Sequence, residues 1–346
     1  MKILHLLKSD KFSGAENVVC QIISMFDLNK DIEFVYCSRD GSIKEALLER
    51  NIRFNLMKSF SISEIKRVIK EEKPDIIHAH DMGASFYAAI CCGNIPLISH
   101  IHNNNFDSRG LSLKSLLYIF AAKKSKHIFW VSNSSFEGYK FHNFFKDKSS
   151  VLYNIINVTS LREKLNKDKS NYNYDIIYLG RLTYQKNPQR LLKVLEKVLE
   201  VRPQTKVAII GTGDLEEEIK NKIGNNKKLE NVDLLGFKNN PYKILSDSKL
   251  MLMTSRWEGT PMCALEAMAL GIPIVSTPVD GMKDLVENGK TGYLSDFDDE
   301  ITKDICKILD NKKFHDNLSN NSIFKIAKIM NSSLYKNEIL RYYLDE

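Results

Sequence analysis

The sequence predicts an α/β protein built from two doubly wound, Rossmann-like domains with parallel sheets. Three observations carry that prediction. The chain has 346 residues, which at roughly 150 residues per domain makes about two domains. Short aliphatic or β-branched runs alternate with longer segments of helical spacing along nearly the whole length, the pattern of βαβ units whose sheets are covered on both faces. A polar, Lys- and Asn-rich stretch at residues 158–173 divides the strand series in two and reads as the linker.

The strand candidates of the first half are residues 2–7, 33–36, 53–57, 75–79, 96–101, 127–131 and 150–153, with helical spacing at 42–50, 63–71 and 113–124 between them. The second half repeats the theme at 175–179, 206–210, 232–235, 250–254, 273–276 and 292–294. The expected boundaries are therefore a domain over 1–158, a second over 174–330, and a terminal segment over 331–346, helical at 332–344, free to pack back on either domain, the first being the one favoured. In such folds ligands bind beyond the carboxyl ends of the strands, so the chemistry belongs on post-strand loops bordering a central cleft.

Composition narrows the functional classes. Hydrophobic residues at 43% and charged residues at 27% exclude a disordered chain. No apolar run approaches 18 residues, and the N-terminus lacks the long apolar stretch and cleavage site of a secretory signal. The six cysteines form no CxxC pair and suit a reducing cytoplasm. Net charge is +7, most of it in residues 1–160, which hold 21 basic against 16 acidic side chains. No basic stripe or recognisable module points to nucleic acid. Residues 111–126 (LSLKSLLYIFAAKKSK) and 136–148 (FEGYKFHNFFKDK) mix cations with large apolar groups, as a segment docking peripherally on an anionic membrane would; a core helix with lysines favouring its dipole explains either one alone.

The most informative stretch is SRWEGTPMCALEAMALG at 255–271. Thr260 is expected as the N-cap of a helix with Pro261 in its first position and Gly271 past its end. Gly259, Thr260, Pro261, Met262 and Cys263 then lie where amides and a helix dipole welcome an anion, flanked along the chain by Glu258 and Glu266. Arg181 and Lys186, five residues apart on the loop after 175–179, add a planar fork and a point charge suited to a diphosphate. Gly211-Thr212-Gly213 lacks the third glycine of a dinucleotide fingerprint. Asp296-Phe297-Asp298 has metal-binding spacing but reads more simply as the acidic start of a helix. His78 and His80, spaced i, i+2, read as strand residues because no carboxylate completes a metal set.

The ordered motifs GRLTYQKN, VAIIGTGDLEEEI, NVDLLGF and WEGTPMCALEAMALGIPIVST resemble the C-terminal domain of family-four retaining glycosyltransferases (glycosyl transferases group 1) with the GT-B fold. The family's two glutamates separated by seven residues are matched by Glu258 and Glu266. KSDKFSGAENVV, PDIIHAHD and LISHIHNNNF resemble the loops of the first domain, although Ser13-Gly14-Ala15 stands where many relatives carry two glycines.

The resemblance implies transfer of a sugar from a nucleotide diphosphate sugar, UDP-linked, to a saccharide acceptor with retention and no cofactor; the reading of Asp296-Phe297-Asp298 as a helix start leaves no catalytic metal, and the two cationic apolar segments with the basic front half point to a lipid-linked acceptor. It implies Arg181 and Lys186 on the diphosphate, Glu258 facing the donor sugar or the reacting phosphate side, Glu266 on the ribose and the amides around 260–263 as phosphate cradle. Gly14 and Gly211 would allow close backbone approach, and His102 would sit near the donor sugar or acceptor hydroxyl. A cytoplasmic enzyme resting on the inner face of a membrane is the implied setting, in cell-surface polysaccharide assembly. A nucleotide-sugar epimerase of the same fold and an inactive nucleotide-sugar-binding protein stay open as alternatives.

Overall fold

The computed structural model describes residues 1–26, 31–103 and 106–344. The chain divides into two compact units, Met1–Ile155 together with Asn331–Glu346, and Ile156–Met330. Among the described residues the first unit holds a wholly parallel seven-stranded sheet: β1 (Lys2–Leu6), β2 (Glu33–Arg39), β3 (Phe54–Met57), β4 (Ile76–His80), β5 (Leu97–Ile101), β6 (His127–Trp130) and β7 (Ser149–Val151). Their order across the sheet is β3-β2-β1-β4-β5-β6-β7. The second unit repeats the plan with β8 (Tyr174–Leu179), β9 (Val207–Ile210), β10 (Val232–Gly236), β11 (Ser248–Met253), β12 (Ile274–Ser276) and β13 (Gly292–Leu294), ordered β10-β9-β8-β11-β12-β13. Strand order reverses between β1 and β4 and again between β8 and β11, the switch points where such sheets leave a crevice.

The apolar runs become strands because helices cover both faces; β4, β5, β6 and β9 are buried at every residue. One face of the first sheet carries Leu4, Leu6, Ile77, Ala79, Leu97 and Ile101 into an apolar core shared with Tyr118, Trp130 and Tyr139. The opposite face of β1, β4 and β5 presents His5, His78, His80 and His100, all buried, with His102 just beyond β5. Alternation along a strand puts i and i+2 on one side, and the register sets His5 against His78 and His80 against His100. The terminal helix Ser332–Tyr343 closes this face: Tyr343 Oη lies 2.7 Å from His78 Nδ1, and Tyr342 stacks on His127 with centroids 3.5 Å apart.

Two sequence expectations need correction. Residues 158–173 are not simply a linker, because Val158–Lys167 is a helix of the second unit. Asn157 caps it through the Ser160 amide at 2.9 Å, and Leu161 is buried in that unit's core, so the Lys and Asn residues are its solvated face. The helix after β11 is Met262–Ala269, with Pro261 as N-cap in extended conformation rather than Thr260. The cap shift leaves Thr260 buried in the preceding loop. Gly271 does adopt a positive φ of 74°, ending that helix as expected.

Candidate active site

In the second unit the site is built by two loops knitted together. The loop after β8 enters through Gly180 and Arg181 and anchors itself by burying Leu182 completely. It then turns through Thr183, whose carbonyl accepts from the Lys186 and Asn187 amides. The loop after β11 lies against it: the Arg256 amide donates to Gln185 O at 2.8 Å, Gln185 Nε2 to Trp257 O at 3.0 Å, and Arg256 Nη2 to Asn187 Oδ1 at 3.0 Å. These bonds bring residues about 70 positions apart in sequence to one spot.

That spot holds Lys186 and Glu258. Lys186 Nζ donates to Glu258 Oε1 at 2.5 Å, and Ser255 Oγ donates to the same oxygen at 2.6 Å. Both charged groups are largely buried, with side chains 13% and 6% exposed. Burial alone would lower the Lys186 ammonium, but the Glu258 carboxylate beside it overrides this and holds it above its ordinary range. Arg181 is exposed, its Nη2 reaching Gln185 Oε1 at 3.4 Å. The two cations thus differ: one is clamped on a carboxylate, the other reaches into solvent.

Gly259 and Thr260 continue the loop into Met262–Ala269, where Met262 and Cys263 open the helix. Burial pushes the Cys263 thiol up to about 12, so it is a neutral packing group rather than a nucleophile. Glu266 lies deeper in the helix; burial raises its carboxyl to about 7, against a hydrogen bond from Tyr242 Oη at 3.0 Å. Gly211 has a φ of 136°, and a Cβ there would collide with the Gly180 carbonyl oxygen. Its glycine lets β9 and β8 end in loops packed backbone to backbone, beneath Arg181. Asp298, of the DxD triplet, opens the Asp298–Asp310 helix and pairs with Arg190 Nε at 2.7 Å, a structural role.

The first unit holds the remaining expected residues. Gly14 is the exposed first residue of the Gly14–Ser24 helix, which Glu16 caps by accepting from the Ser13 amide and hydroxyl. Gly14 does not have a positive φ, so openness rather than turn geometry is what glycine supplies there. A cavity of about 460 Å³ opens at the carboxyl ends of β1 and β4, lined by Lys8, Glu16, Arg39, Asp81, Asn103 and Lys114 among others. His102 is 6% exposed and belongs to the histidine row, its Nε2 2.9 Å from His80 Nδ1. Burial draws its imidazole down to about 4, so it is neutral at pH 7. Of the HNNNF motif that follows β5, Asn104 and Asn105 lie outside the described residues.

Sequence reasoning did not single out Ser255, Gln185, Arg256 or Tyr242, whose roles come from contacts across the two loops. It also passed over Asp81, whose motif PDIIHAHD was visible. Asp81 holds a φ of 70° at the cavity wall, its Oδ1 accepts from the His102 amide at 3.0 Å, and burial lifts its carboxyl to about 6.

Comparison with known proteins matches residues 158–323 to the model for glycosyl transferases group 1 and residues 12–160 to the model for glycosyltransferase family 4. The chain is 27% identical to the Escherichia coli UDP-Gal:alpha-D-GlcNAc-diphosphoundecaprenol alpha-1,3-galactosyltransferase, over all of this chain and 97% of that protein. It is 24% identical to the Staphylococcus aureus capsular polysaccharide biosynthesis glycosyltransferase CapH, over 94% and 95% of the two chains. Among solved structures, Anabaena Alr3699/HepE in complex with UDP superposes with a TM-score of 0.86 over the full length of both chains, at 20% identity. The paired parallel sheets, the knitted loops carrying Arg181, Lys186 and Glu258, and these matches together establish that the chain belongs to the family-four type of glycosyltransferases with the GT-B fold.

Proposed function

We propose that this protein transfers a sugar from a UDP-linked donor to a saccharide acceptor carried on a polyprenyl diphosphate, with retention of anomeric configuration and without a catalytic metal. The observation that carries the reading is the Lys186–Glu258 pair at 2.5 Å, set beside Arg181 and the start of the Met262–Ala269 helix. As the glycosidic bond breaks, negative charge gathers on the leaving diphosphate, and groups aimed at that charge lower the barrier. Lys186, Arg181 and the N–H groups of Thr260, Met262 and Cys263 supply positive potential from the protein itself. Glu258 holds the Lys186 ammonium in place before the donor arrives, and Glu266 receives the ribose hydroxyls through its carboxyl group. In the first unit, His102 meets the donor sugar and Gly14 permits close approach of the loop.

The donor and acceptor classes are supported by the E. coli relative, whose name gives a UDP-galactose donor and a diphosphoundecaprenol-linked acceptor, and by the UDP complex of the Anabaena protein. A role in cell-surface polysaccharide assembly is supported by the CapH relative. Peripheral membrane contact fits the Leu113–Lys124 helix, which buries Tyr118, Ala121 and Ala122 while exposing Leu113, Leu116, Leu117 and Phe120 beside Lys123 and Lys124. Among the described residues no helix is long and apolar enough to cross a membrane.

The deciding experiment is calorimetric titration with UDP, GDP and ADP in the presence of a chelator. Binding of UDP alone, weakened in Arg181→Ala, supports the assignment; binding of none of the three overturns it. NMR of the product's anomeric centre then reads retention directly.

A further inference from the structure

Glu266 sits where the helix Met262–Ala269 meets two elements that carry none of the site's sequence motifs. One is the short helix Tyr242–Ser246, entered through Asn240 and Pro241. The other is Val158–Lys167, the segment whose polar average suggests a linker. Asn240 Nδ2 donates to the Lys164 carbonyl at 2.7 Å and ties the two together. Tyr242 is held between them, its hydroxyl donating to Glu266 Oε1 at 3.0 Å, and the Lys164 ammonium stands 5.9 Å from the centre of its ring.

A carboxyl group in this place has two ways to fail as an acceptor. Free to rotate, it offers its oxygens in many directions; neutral, it carries a proton on one oxygen and becomes a donor there. Burial pushes Glu266 toward the neutral form, lifting its carboxyl to about 7. The Tyr242 bond, and after it the Lys164 charge, act in the opposite sense. The bond also fixes direction. With Oε1 turned to Tyr242, Oε2 accepts nothing among the described residues, yet it is not among the buried oxygens left without a partner, so it opens to solvent. Phenylalanine would fill the space of Tyr242 equally well; what the hydroxyl adds is the grip on Oε1.

We propose that Tyr242, backed by Lys164, is a positioning residue that turns the Glu266 carboxylate toward the donor's ribose and so makes the site select a ribonucleotide over its 2′-deoxy counterpart. The inference rests on the reading of Glu266 as the ribose contact and adds to it what orients that contact. A site built to accept from a hydroxyl rejects the analogue that lacks it, because the acceptor, covered by the ligand, is left unpaired. That rejection is only as strong as the acceptor is fixed. A carboxyl able to swing back to water loses little when the hydroxyl is missing, so the selection depends on the group that pins it.

The test is calorimetric titration of the full chain with UDP and 2′-deoxy-UDP, on wild type, Tyr242→Phe, Glu266→Gln, the double variant and Lys164→Met. Wild type should prefer UDP by about tenfold or more, the worth of one hydrogen bond to a charged group. Tyr242→Phe should shrink that preference to about threefold or less, through weaker binding of UDP. A purely structural role would weaken both nucleotides equally and leave the ratio alone. In the double variant the loss should equal that of Glu266→Gln, because Tyr242 acts through Glu266. Lys164→Met should move the ratio the same way to a smaller extent, and it carries the test if Tyr242→Phe does not fold. An unchanged ratio in Tyr242→Phe, or additive losses in the double variant, overturns the proposal while leaving Glu266 on the ribose. An unchanged ratio in Glu266→Gln overturns the ribose reading and the proposal together.

Discussion

At Lys186 and Glu258 the charges are paired before any donor is present, and this has a measurable cost when one is removed. Glu258→Gln keeps the volume and the bond from Ser255 but leaves a largely buried ammonium without its carboxylate. Losing one partner of a buried pair costs on the order of 3–5 kcal/mol at its largest, so the apo variant should melt several degrees lower. UDP should recover most of that loss, because its diphosphate replaces the missing charge, while turnover stays at least ~100-fold down. Thermal melts with and without UDP read this; a variant as stable as wild type without UDP would mean the pair is solvated. Arg181→Ala behaves differently, since Arg181 is exposed. It should leave the melting temperature unchanged and weaken UDP binding by about 1.5–3 kcal/mol, the scale of hydrogen bonds to a charged group.

Elements set how closely these side chains can be brought together. β8 and β9 end in loops that touch backbone to backbone at Gly180 and Gly211, and only glycine tolerates that approach with a φ of 136°. Gly211→Ala combines an unfavourable φ with a collision, so a destabilisation of at least ~2 kcal/mol is expected in denaturant titration, with weakened UDP binding. The Leu113–Lys124 helix makes the opposite point. Its buried face is small, so its large apolar residues point outward, which the 3.6-residue spacing alone did not separate from a core helix. Co-sedimentation with anionic vesicles at low salt should capture the protein, and Leu116→Glu with Phe120→Glu should release it. The 158–167 helix shows where composition misleads: capping by Asn157 and one buried leucine decide the structure of a segment whose average is polar.

Across the whole molecule, the histidine row makes folding stability depend on acid. Burial draws His5 down to about 3 and His102 and His127 to about 4, and holds His78, His80 and His100 well below the usual imidazole range. The folded chain therefore stays unprotonated where the unfolded chain, with ordinary imidazoles near 6.5, binds protons. Stability from this source is complete above about pH 6.5 and is lost as pH falls toward 4. Asp81, raised to about 6, and Glu266, raised to about 7, act in the opposite sense, since the folded chain holds their protons more tightly. Six histidines outweigh two carboxyls, so stability should fall as pH drops from about 6.5 toward 4.5. Denaturant midpoints between pH 4.5 and 7 measure this, and a flat profile would mean the row is hydrated and charged.

By itself the sequence determined the two parallel sheets, the post-strand loops that carry chemistry, and the family. Those features are written in local patterns: apolar runs of strand length, punctuation by glycine and proline, and the spacing of Glu258 from Glu266. It also placed Arg181, Lys186 and Glu258 in one site, because motifs that follow neighbouring strands of a doubly wound sheet converge at the switch point. Only the tertiary structure decided that Glu258 grips Lys186, that Ser255, Gln185 and Arg256 hold the two loops together, and that Tyr242 reaches Glu266. It alone decided that His5, His80 and His102 stand in hydrogen-bond contact as one chain. Each of these contacts joins residues brought together by strand register and loop packing, and no local pattern along one chain encodes which side chain will lie 3 Å from another once the sheet has formed.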